Sequence, residues 1–313
     1  MSFTVTIKEE ISSIESSKSE LIAELSAYIR NNGTISSNFI IMTTENKFTV
    51  DRVIQAIKRL YNVDTEVTKI NNVNFSKKDL YQLKIIDKVD TILQDLGIID
   101  DNKKELETVP TYIVGANEEI RGYLRGAFLS SGSINDPKKS RYHMELLISS
   151  AKESVFIQKL LNIFELNAKI LNRDKGYMIY IKEAEKISDF LKILGASKAV
   201  LYFENVRIYR DQKNKTNRLN NCEQANIDKV IETANIQLKQ IKLIEDNDGL
   251  TLMDDKTKEA LEYRKKYPEA SLKELADIIS IETNKKITKS GLNHRMRKIK
   301  ELAEKFEKLS NNN

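Results

Sequence analysis

Residues 21–35 read LIAELSAYIRNNGTI, and residues 120–134 read IRGYLRGAFLSSGSI. Leu25 aligns with Leu124 and Gly33 with Gly132, both at an offset of 99. Each stretch has apolar residues at helical spacing and runs out at a glycine, the residue that most readily closes a helix in the left-handed conformation. The segments downstream of the two glycines repeat as well. Phe39–Thr44 and Met144–Ser149 read as short buried strands, and Val53–Tyr61 aligns with the helical pattern of Phe156–Phe164 at an offset of 103. Glu66–Ile70 and Lys169–Leu171, then Tyr81–Ile86 and Tyr177–Ile181, read as strands. Val89–Gly97 and Ile187–Gly195 close the two halves as helices, at an offset of 98. Two unrelated α+β stretches would share neither the helix order nor the glycine stops. A nearly constant offset marks a duplicated unit with altered loops. The expectation is an α+β domain over 1–204, built from two α-β-β-α-β-β-α repeats at about 15–100 and 115–200.

A chain of 313 residues suits two domains. With 40% hydrophobic and 31% charged residues, the composition is that of an ordinary soluble globular protein. The N-terminus has no charged segment leading into an apolar one, and runs such as Phe39-Ile40-Ile41-Met42 are far too short to span a bilayer. Neither a signal peptide nor a membrane partner is expected. The single cysteine, Cys222, allows no intrachain disulfide, which fits a reducing cytoplasm.

The net charge of +5 is unevenly placed. Residues 1–204 hold 28 basic and 28 acidic side chains, 205–253 hold 8 and 7, and 254–313 hold 15 and 11. Within the last block, 284–300 carries seven Lys or Arg and no acid. A polyanion would meet the chain there.

The local signals in that block spell a helix-turn-helix. Asp254–Tyr267 reads as a helix stopped at Pro268, and Ser271-Leu-Lys-Glu274 is a capping box opening a second helix with Leu272, Leu275, Ala276 and Ile279 on one side. Residues 280–287 read as a connection, longer than the tightest turns of this motif. Thr288 or Ser290 is then the N-cap of a long third helix, whose Leu292, Met296, Ile299, Leu302, Phe306 and Leu309 form one apolar stripe. A 251–313 domain is expected, with its motif at about 270–303. The candidate DNA-binding residues are Lys285, Lys286, Thr288, Lys289, Ser290, Asn293, His294, Arg295, Arg297 and Lys298. Asn293 offers an amide pair suited to adenine and Arg297 a guanidinium fork suited to guanine, while Lys285, Lys286 and Lys289 suit phosphates. The plainer alternative is a solvated basic face on a helical hairpin. The acid-free run at the start of the helix favours double-stranded DNA as the partner.

Between the two domains, 205–250 reads as a linker ending in a helix, Ile227–Leu243, broken near Gly249. Its polar start, with Arg207, Arg210, Lys213, Lys215 and Arg218, suits a solvated or docking segment better than one that reads bases. No phosphate-binding glycine loop, Cys/His cluster or nucleophile-base pair is present. Cys222 has no histidine near it in sequence, and the chain has only His143 and His294. No cofactor, metal or small-molecule substrate is expected.

The repeated segments Leu25–Gly33 and Leu124–Gly132 resemble the two signature helices of the LAGLIDADG homing-endonuclease fold. Ala27 and Gly126 stand where those helices need small residues. The resemblance implies side-by-side helices on a pseudo-two-fold axis and flanking sheets that form a saddle. In the nucleases of that fold a carboxylate precedes each glycine and holds divalent metal. Here those positions are Asn32 and Ser131, with Asn31 and Ser130 beside them, and Asp136 has no counterpart near Gly33. The resemblance thus implies a degenerate nuclease rather than an enzyme. Over nearly its whole length the chain also resembles the WhiA proteins of Gram-positive bacteria. The resemblance is carried by Tyr123–Ser133, Tyr142-His143, Lys182–Leu191, Asn217–Asn226, Ser271–Leu275 and Lys289–Ile299. It implies a degenerate LAGLIDADG domain joined to a small all-α DNA-binding domain over Ser271–Lys300. It further implies a transcription regulator tied to cell division, chromosome segregation and, in sporulating relatives, sporulation. Such a protein would be cytoplasmic and nucleoid-associated, with cell-division or chromosome-organisation proteins as further partners. The alternatives are a metal-dependent endonuclease and a division-protein scaffold with incidental DNA binding.

Overall fold

The computed structural model describes residues 2–70, 79–139, 141–174 and 176–310. They form two compact units, 1–211 and 212–313.

The first unit opens with α1 (Phe3–Ser12), which stands outside the two repeats. Phe3, Ile7 and Ile11, one helical turn apart, are its buried face. The duplication then appears as expected. The first repeat runs α2 (Lys18–Asn32), β1 (Gly33–Ser36), β2 (Phe39–Thr44), α3 (Lys47–Tyr61), β3 (Glu66–Ile70), β4 (Leu80–Ile85) and α4 (Val89–Asp95). The second runs α5 (Asn117–Ser131), β5 (Gly132–Ile134), β6 (Met144–Ile148), α6 (Ala151–Ile163), β7 (Lys169–Arg173), β8 (Gly176–Ile181) and α7 (Ala184–Leu194). Each repeat forms a four-stranded antiparallel sheet, ordered β1-β2-β4-β3 and β5-β6-β8-β7. The registers correspond: Ile40 faces Ile85 in one sheet, and Met144 faces Ile181 in the other. Alternate residues Ile40 and Met42, and Met144, Leu146 and Ile148, face the core, as period-two burial requires. The caps correspond too. Asn46 Oδ1 accepts the Thr49 amide at the start of α3, and Ser150 Oγ accepts the Glu153 amide at the start of α6.

The signature glycines do not close their helices in the left-handed conformation. Gly33 has φ −84° and Gly132 φ −76°, so the chain passes straight from helix into strand. Glycine is needed there for space, because a Cβ on Gly132 would stand 2.2 Å from Cδ2 of Phe128. Left-handed glycines do follow the closing helices, at Gly97 (φ 62°) and Gly195 (φ 82°), where the chain must turn away.

α2 and α5 pack side by side at backbone distance. A Cβ on Gly126 would lie 2.0 Å from the carbonyl oxygen of Glu24. Ala23, Ala27 and Ala127 are fully buried in the same core. An ionic knot sits within it. Glu24 accepts from Arg52 Nε at 2.8 Å and Nη2 at 3.0 Å, and from Arg125 Nη1 at 3.3 Å, while Ser16 Oγ accepts from both arginines. All three charged side chains are at most 9% exposed, so they depend on one another for compensation, with Glu20 a further carboxylate 3.8 Å from Arg125.

The expected linker is helical. α8 spans Ser197–Asp246, so the polar stretch 204–226 continues a helix rather than forming a loop. From 211 to 229 it is exposed on all sides, which its abundance of Asn, Gln, Lys and Arg reflects. The second unit contains the last part of α8, then α9 (Asp255–Lys266), α10 (Leu272–Thr283) and α11 (Lys289–Ser310). Its core joins Ile241 and Ile244 of α8 to Leu261, Leu275, Ile279, Leu292, Met296 and Ile299. The apolar stripe of α11 departs from expectation at its end, where Ala303 is buried and Leu309 is 63% exposed. Among the described residues no helix is long and apolar enough to cross a membrane.

Candidate nucleic-acid interface

The second unit sets α11 on a framework of capped helices. The Ser271 capping box is closed, with Ser271 Oγ accepting the Glu274 amide at 3.2 Å and Glu274 Oε2 accepting the Ser271 amide at 2.8 Å. α10 runs on to Thr283, so only 284–288 separates it from α11, less than the expected 280–287. Ser280 does not break the helix. Its hydroxyl donates to Ala276 O at 2.7 Å and accepts the Ile287 amide at 2.9 Å, tying the incoming chain to α10. Asn284 takes the left-handed conformation that ends α10 (φ 55°). Thr288, not Ser290, caps α11: its hydroxyl accepts the Gly291 amide at 3.1 Å and its carbonyl the Leu292 amide. The ends of α9 and α10 are tied by Glu282, which accepts from Tyr263, Tyr267 and Lys266. These bonds hold its carboxyl down to about 2, Tyr267 contributing most.

The ten candidate DNA-binding residues divide into two groups. Lys285, Lys286, Lys289, Ser290, Asn293, His294 and Arg297 are exposed, and Thr288 serves as the cap. Arg295 and Lys298 are engaged within the unit. Arg295 Nη1 donates to Glu259 Oε2 at 3.0 Å and to Lys256 O, and Lys298 Nζ donates to Asp254 Oδ2 at 2.8 Å. The Lys298 bond and those from Thr257 hold the Asp254 carboxyl far below the usual carboxylate range. Sequence spacing counts these two cations with the free ones. Only the fold shows that α9 brings acids against that side of α11.

The structure adds a wall that sequence spacing does not reveal. Thr233, Gln237 and Gln240 of α8 line a 260 Å³ groove together with Asn293 and Arg297. Gln237 is 8% exposed, and its Oε1 has no partner among the described residues. The available signal was the spacing of Ala234, Gln237, Ile241 and Ile244, all buried, inside the segment expected to be a linker.

In the first unit, the two degenerate nuclease positions lie at the ends of α2 and α5. Asn32 Nδ2 donates to Thr43 O at 2.8 Å and to Tyr28 Oη at 3.1 Å, and Ser131 Oγ reaches back to Ala127 O at 3.5 Å. Both side chains spend their polar atoms within their own repeat. Three carboxylates line a 480 Å³ cleft with Arg30 and Gly33 at the end of α2: Glu105, Glu107, which accepts from Lys152, and, from α6, Glu153. Glu153 accepts from Tyr123 Oη at 2.5 Å, and burial pushes its carboxyl above the usual range. A group inclined to hold its proton is poorly suited to a hard cation. Among the described residues no three His, Cys, Asp or Glu gather as a metal site.

Comparison with known proteins agrees with this two-part architecture. The WhiA N-terminal LAGLIDADG-like domain matches residues 18–99, the WhiA LAGLIDADG-like domain 120–213, and the WhiA C-terminal HTH domain 216–303. The last match begins within α8, upstream of the helices that local sequence signals assign to the motif. The chain is 43% identical to a probable cell division protein WhiA of Staphylococcus epidermidis, covering 98% of each chain. It is 41% identical to the corresponding protein of Enterococcus faecalis, over 99% of this chain and 100% of that one. Its fold is similar to that of full-length WhiA from Thermatoga maritima, with a TM-score of 0.61 at 23% identity, covering 98% of this chain and 99% of that one. With a duplicated LAGLIDADG-like unit, a helical HTH unit and full-length relatives at about two-fifths identity, the chain belongs to the WhiA family.

Proposed function

We propose that the chain is a sequence-specific duplex-DNA-binding regulator of transcription, acting in cell division and chromosome segregation. The curated relatives' name, probable cell division protein, supports the setting. The observation that carries the reading is the exposed start of α11. Lys285, Lys286 and Lys289 have no ion-pair partner among the described residues, and they flank the exposed Asn293, His294 and Arg297. Inserted N-terminus first into the major groove, α11 sets Asn293 and Arg297 against base edges and the lysines against phosphates. Glu301, about three turns from the start of α11, limits base reading to the first turns. We take the reading unit to begin within α8, because Ile241 and Ile244 belong to its core. In this reading the protein works on the nucleoid in the cytoplasm and is not an enzyme. Asn32 and Ser131 supply no charge to metal, burial disfavours the charged form of Glu153, and the Glu107 carboxylate in its cleft is paired with Lys152. The balanced charge of residues 1–204 makes the first unit a better surface for a division or chromosome-organisation protein than for a polyanion.

The test is binding of the full chain to a pool of genomic duplex fragments over a salt series. A selected subset of sequences, with affinity falling steeply as salt rises, supports the reading. Failure to bind any duplex at low salt overturns it, and magnesium-dependent nicking of a plasmid would favour the endonuclease alternative.

A further inference from the structure

Beside the reading face, the second unit holds a cation that its own fold does not neutralise. Arg264 of α9 is 1% exposed, yet no described carboxylate pairs with it. Its Nη1 donates to the carbonyls of Ala270 at 2.7 Å and of Tyr267 and Pro268 at 3.4 Å, which ties down the turn after α9. Its Nε has no acceptor at all among the described residues. Buried charges are ordinarily paired, and this guanidinium lacks a counter-charge among the described residues.

What surrounds it fits an anion. Arg264 lines a 220 Å³ cavity with Lys229 of α8, Thr233, Ser271, Lys273 and Lys289, and among the described residues no acidic side chain lines it. Lys229, Lys273 and Lys289 are exposed and have no ion-pair partner among the described residues. The cavity opens at the N-terminus of α10. There the capping box occupies the amides of Ser271 and Glu274 and leaves those of Leu272 and Lys273 as orphan donors at the positive end of the helix dipole. The nearest acid of α10, Glu274, is turned onto the Ser271 amide. Lys289, the first residue of α11, places the cavity next to the helix that reads bases.

We propose that this cavity seats one phosphate of the DNA backbone, held by Arg264, Lys229, Lys273 and the α10 N-terminus. It rests on the DNA-binding reading above and extends it. The seat fixes the register of α11 on the duplex, because a phosphate contact positions a protein without reading sequence. It also gives α8 a part in DNA binding, through a lysine that lies outside the helix-turn-helix proper.

The test measures duplex affinity of the full chain over a salt series. The pair Lys229→Gln with Lys273→Gln removes two solvent-facing arms of the seat, and the pair Lys305→Gln with Lys308→Gln removes the same charge elsewhere on the unit. Loss of one seated phosphate lowers the slope of log K against log salt by about 0.9, equally for all sequences, in the first pair only. Arg264→Met is expected to show the same loss with α10 and α11 amides still protected from exchange. If that variant unfolds, the lysine pair decides. An unchanged slope in the lysine pair, with wild type still binding DNA, overturns the seat and leaves the DNA reading intact. Equal losses in both pairs reduce the effect to general charge and overturn it as well. If wild type binds no duplex, the DNA reading itself fails. Titration with inorganic phosphate separates the two sources of this anion. Saturable shifts at Leu272 and Lys273 combined with an unchanged DNA slope would mark a free-phosphate site and overturn the DNA-backbone assignment.

Discussion

Gly126→Ala tests the close packing on which the LAGLIDADG-like unit depends. The added Cβ would stand 2.0 Å from Glu24 O, 2.8 Å from its carbonyl carbon and 3.0 Å from its Cα, all backbone atoms of α2. An ordinary contact needs about 3.4 Å, so α2 and α5 must part by about 1.4 Å, since a helical carbonyl cannot swing aside. A gap of 0.5–1 Å already forfeits roughly a quarter to a half of each dispersion contact, and a buried leucine makes some 40–60 contacts of about 0.1–0.2 kcal/mol. Spread over the side chains at this interface, the loss is about 3–4 kcal/mol. Alanine returns about 1 kcal/mol of helix propensity, leaving a net destabilisation of about 2–3 kcal/mol. In hydrogen exchange on the full chain, the amides of α2 and α5 should exchange about 30- to 150-fold faster, at about tenfold per 1.4 kcal/mol. Those of α11, in the other unit, should not change. Acceleration of less than about fivefold in α2 and α5 would show that the helices do not meet at backbone distance.

Glu24→Gln leaves Arg52 buried beside a neutral partner and Arg125 with only Glu20, at 3.8 Å, and should cost about 3–5 kcal/mol in thermal unfolding of the first unit. A loss under 1 kcal/mol would mean that the arginines reach water. Because burial raises the folded-state pKa of Glu153 above its unfolded value, the protonated form's contribution is full at pH 4 and is lost as pH climbs through the raised value. Glu153→Gln, which mimics that form, should melt with wild type at pH 4 and above it at pH 7.5, whereas a pH-independent difference would contradict the assignment. Arg297→Ala should lose about 1–3 kcal/mol of discrimination at one base pair, while Lys286→Ala should weaken binding to all sequences and flatten the salt slope by about 1. Asp254→Asn keeps a good N-cap for α9 but releases Lys298, so the salt slope in fluorescence anisotropy should steepen by up to about 1. No steepening would mean that Lys298 points away from DNA even when free.

Much of this protein is local and therefore legible. The duplication shows because both copies kept the same order of helical and alternating patterns, and the capping box at Ser271 shows because capping is settled by residues three apart, whereas at the start of α11 that rule leaves both Thr288 and Ser290 open. The absence of carboxylates at Asn32 and Ser131 is likewise a matter of residue identity. The misses come from interactions over longer distances. α1 has no second copy, so the repeat pattern does not reveal it. Polar 204–226 resembles a loop in sequence, because exposure on all sides from 211 onward erases the apolar periodicity by which a helix is recognised. Residues 280–287 resemble a longer connection, because nothing near Ser280 in sequence reveals that its hydroxyl bonds to Ile287.

The residue pattern alone specifies which elements form, that the first set of them is doubled, and that the chain's unopposed positive charge lies at 284–300. Which of those charges are free was settled by the fold, because a salt bridge depends on what the tertiary packing brings within 4 Å and not on spacing along one helix. Packing paired Arg295 and Lys298 with Glu259 and Asp254. It left Lys285, Lys286 and Lys289 outward, and gathered Lys229, Arg264 and Lys273, from three different helices, around one cavity at the start of α10.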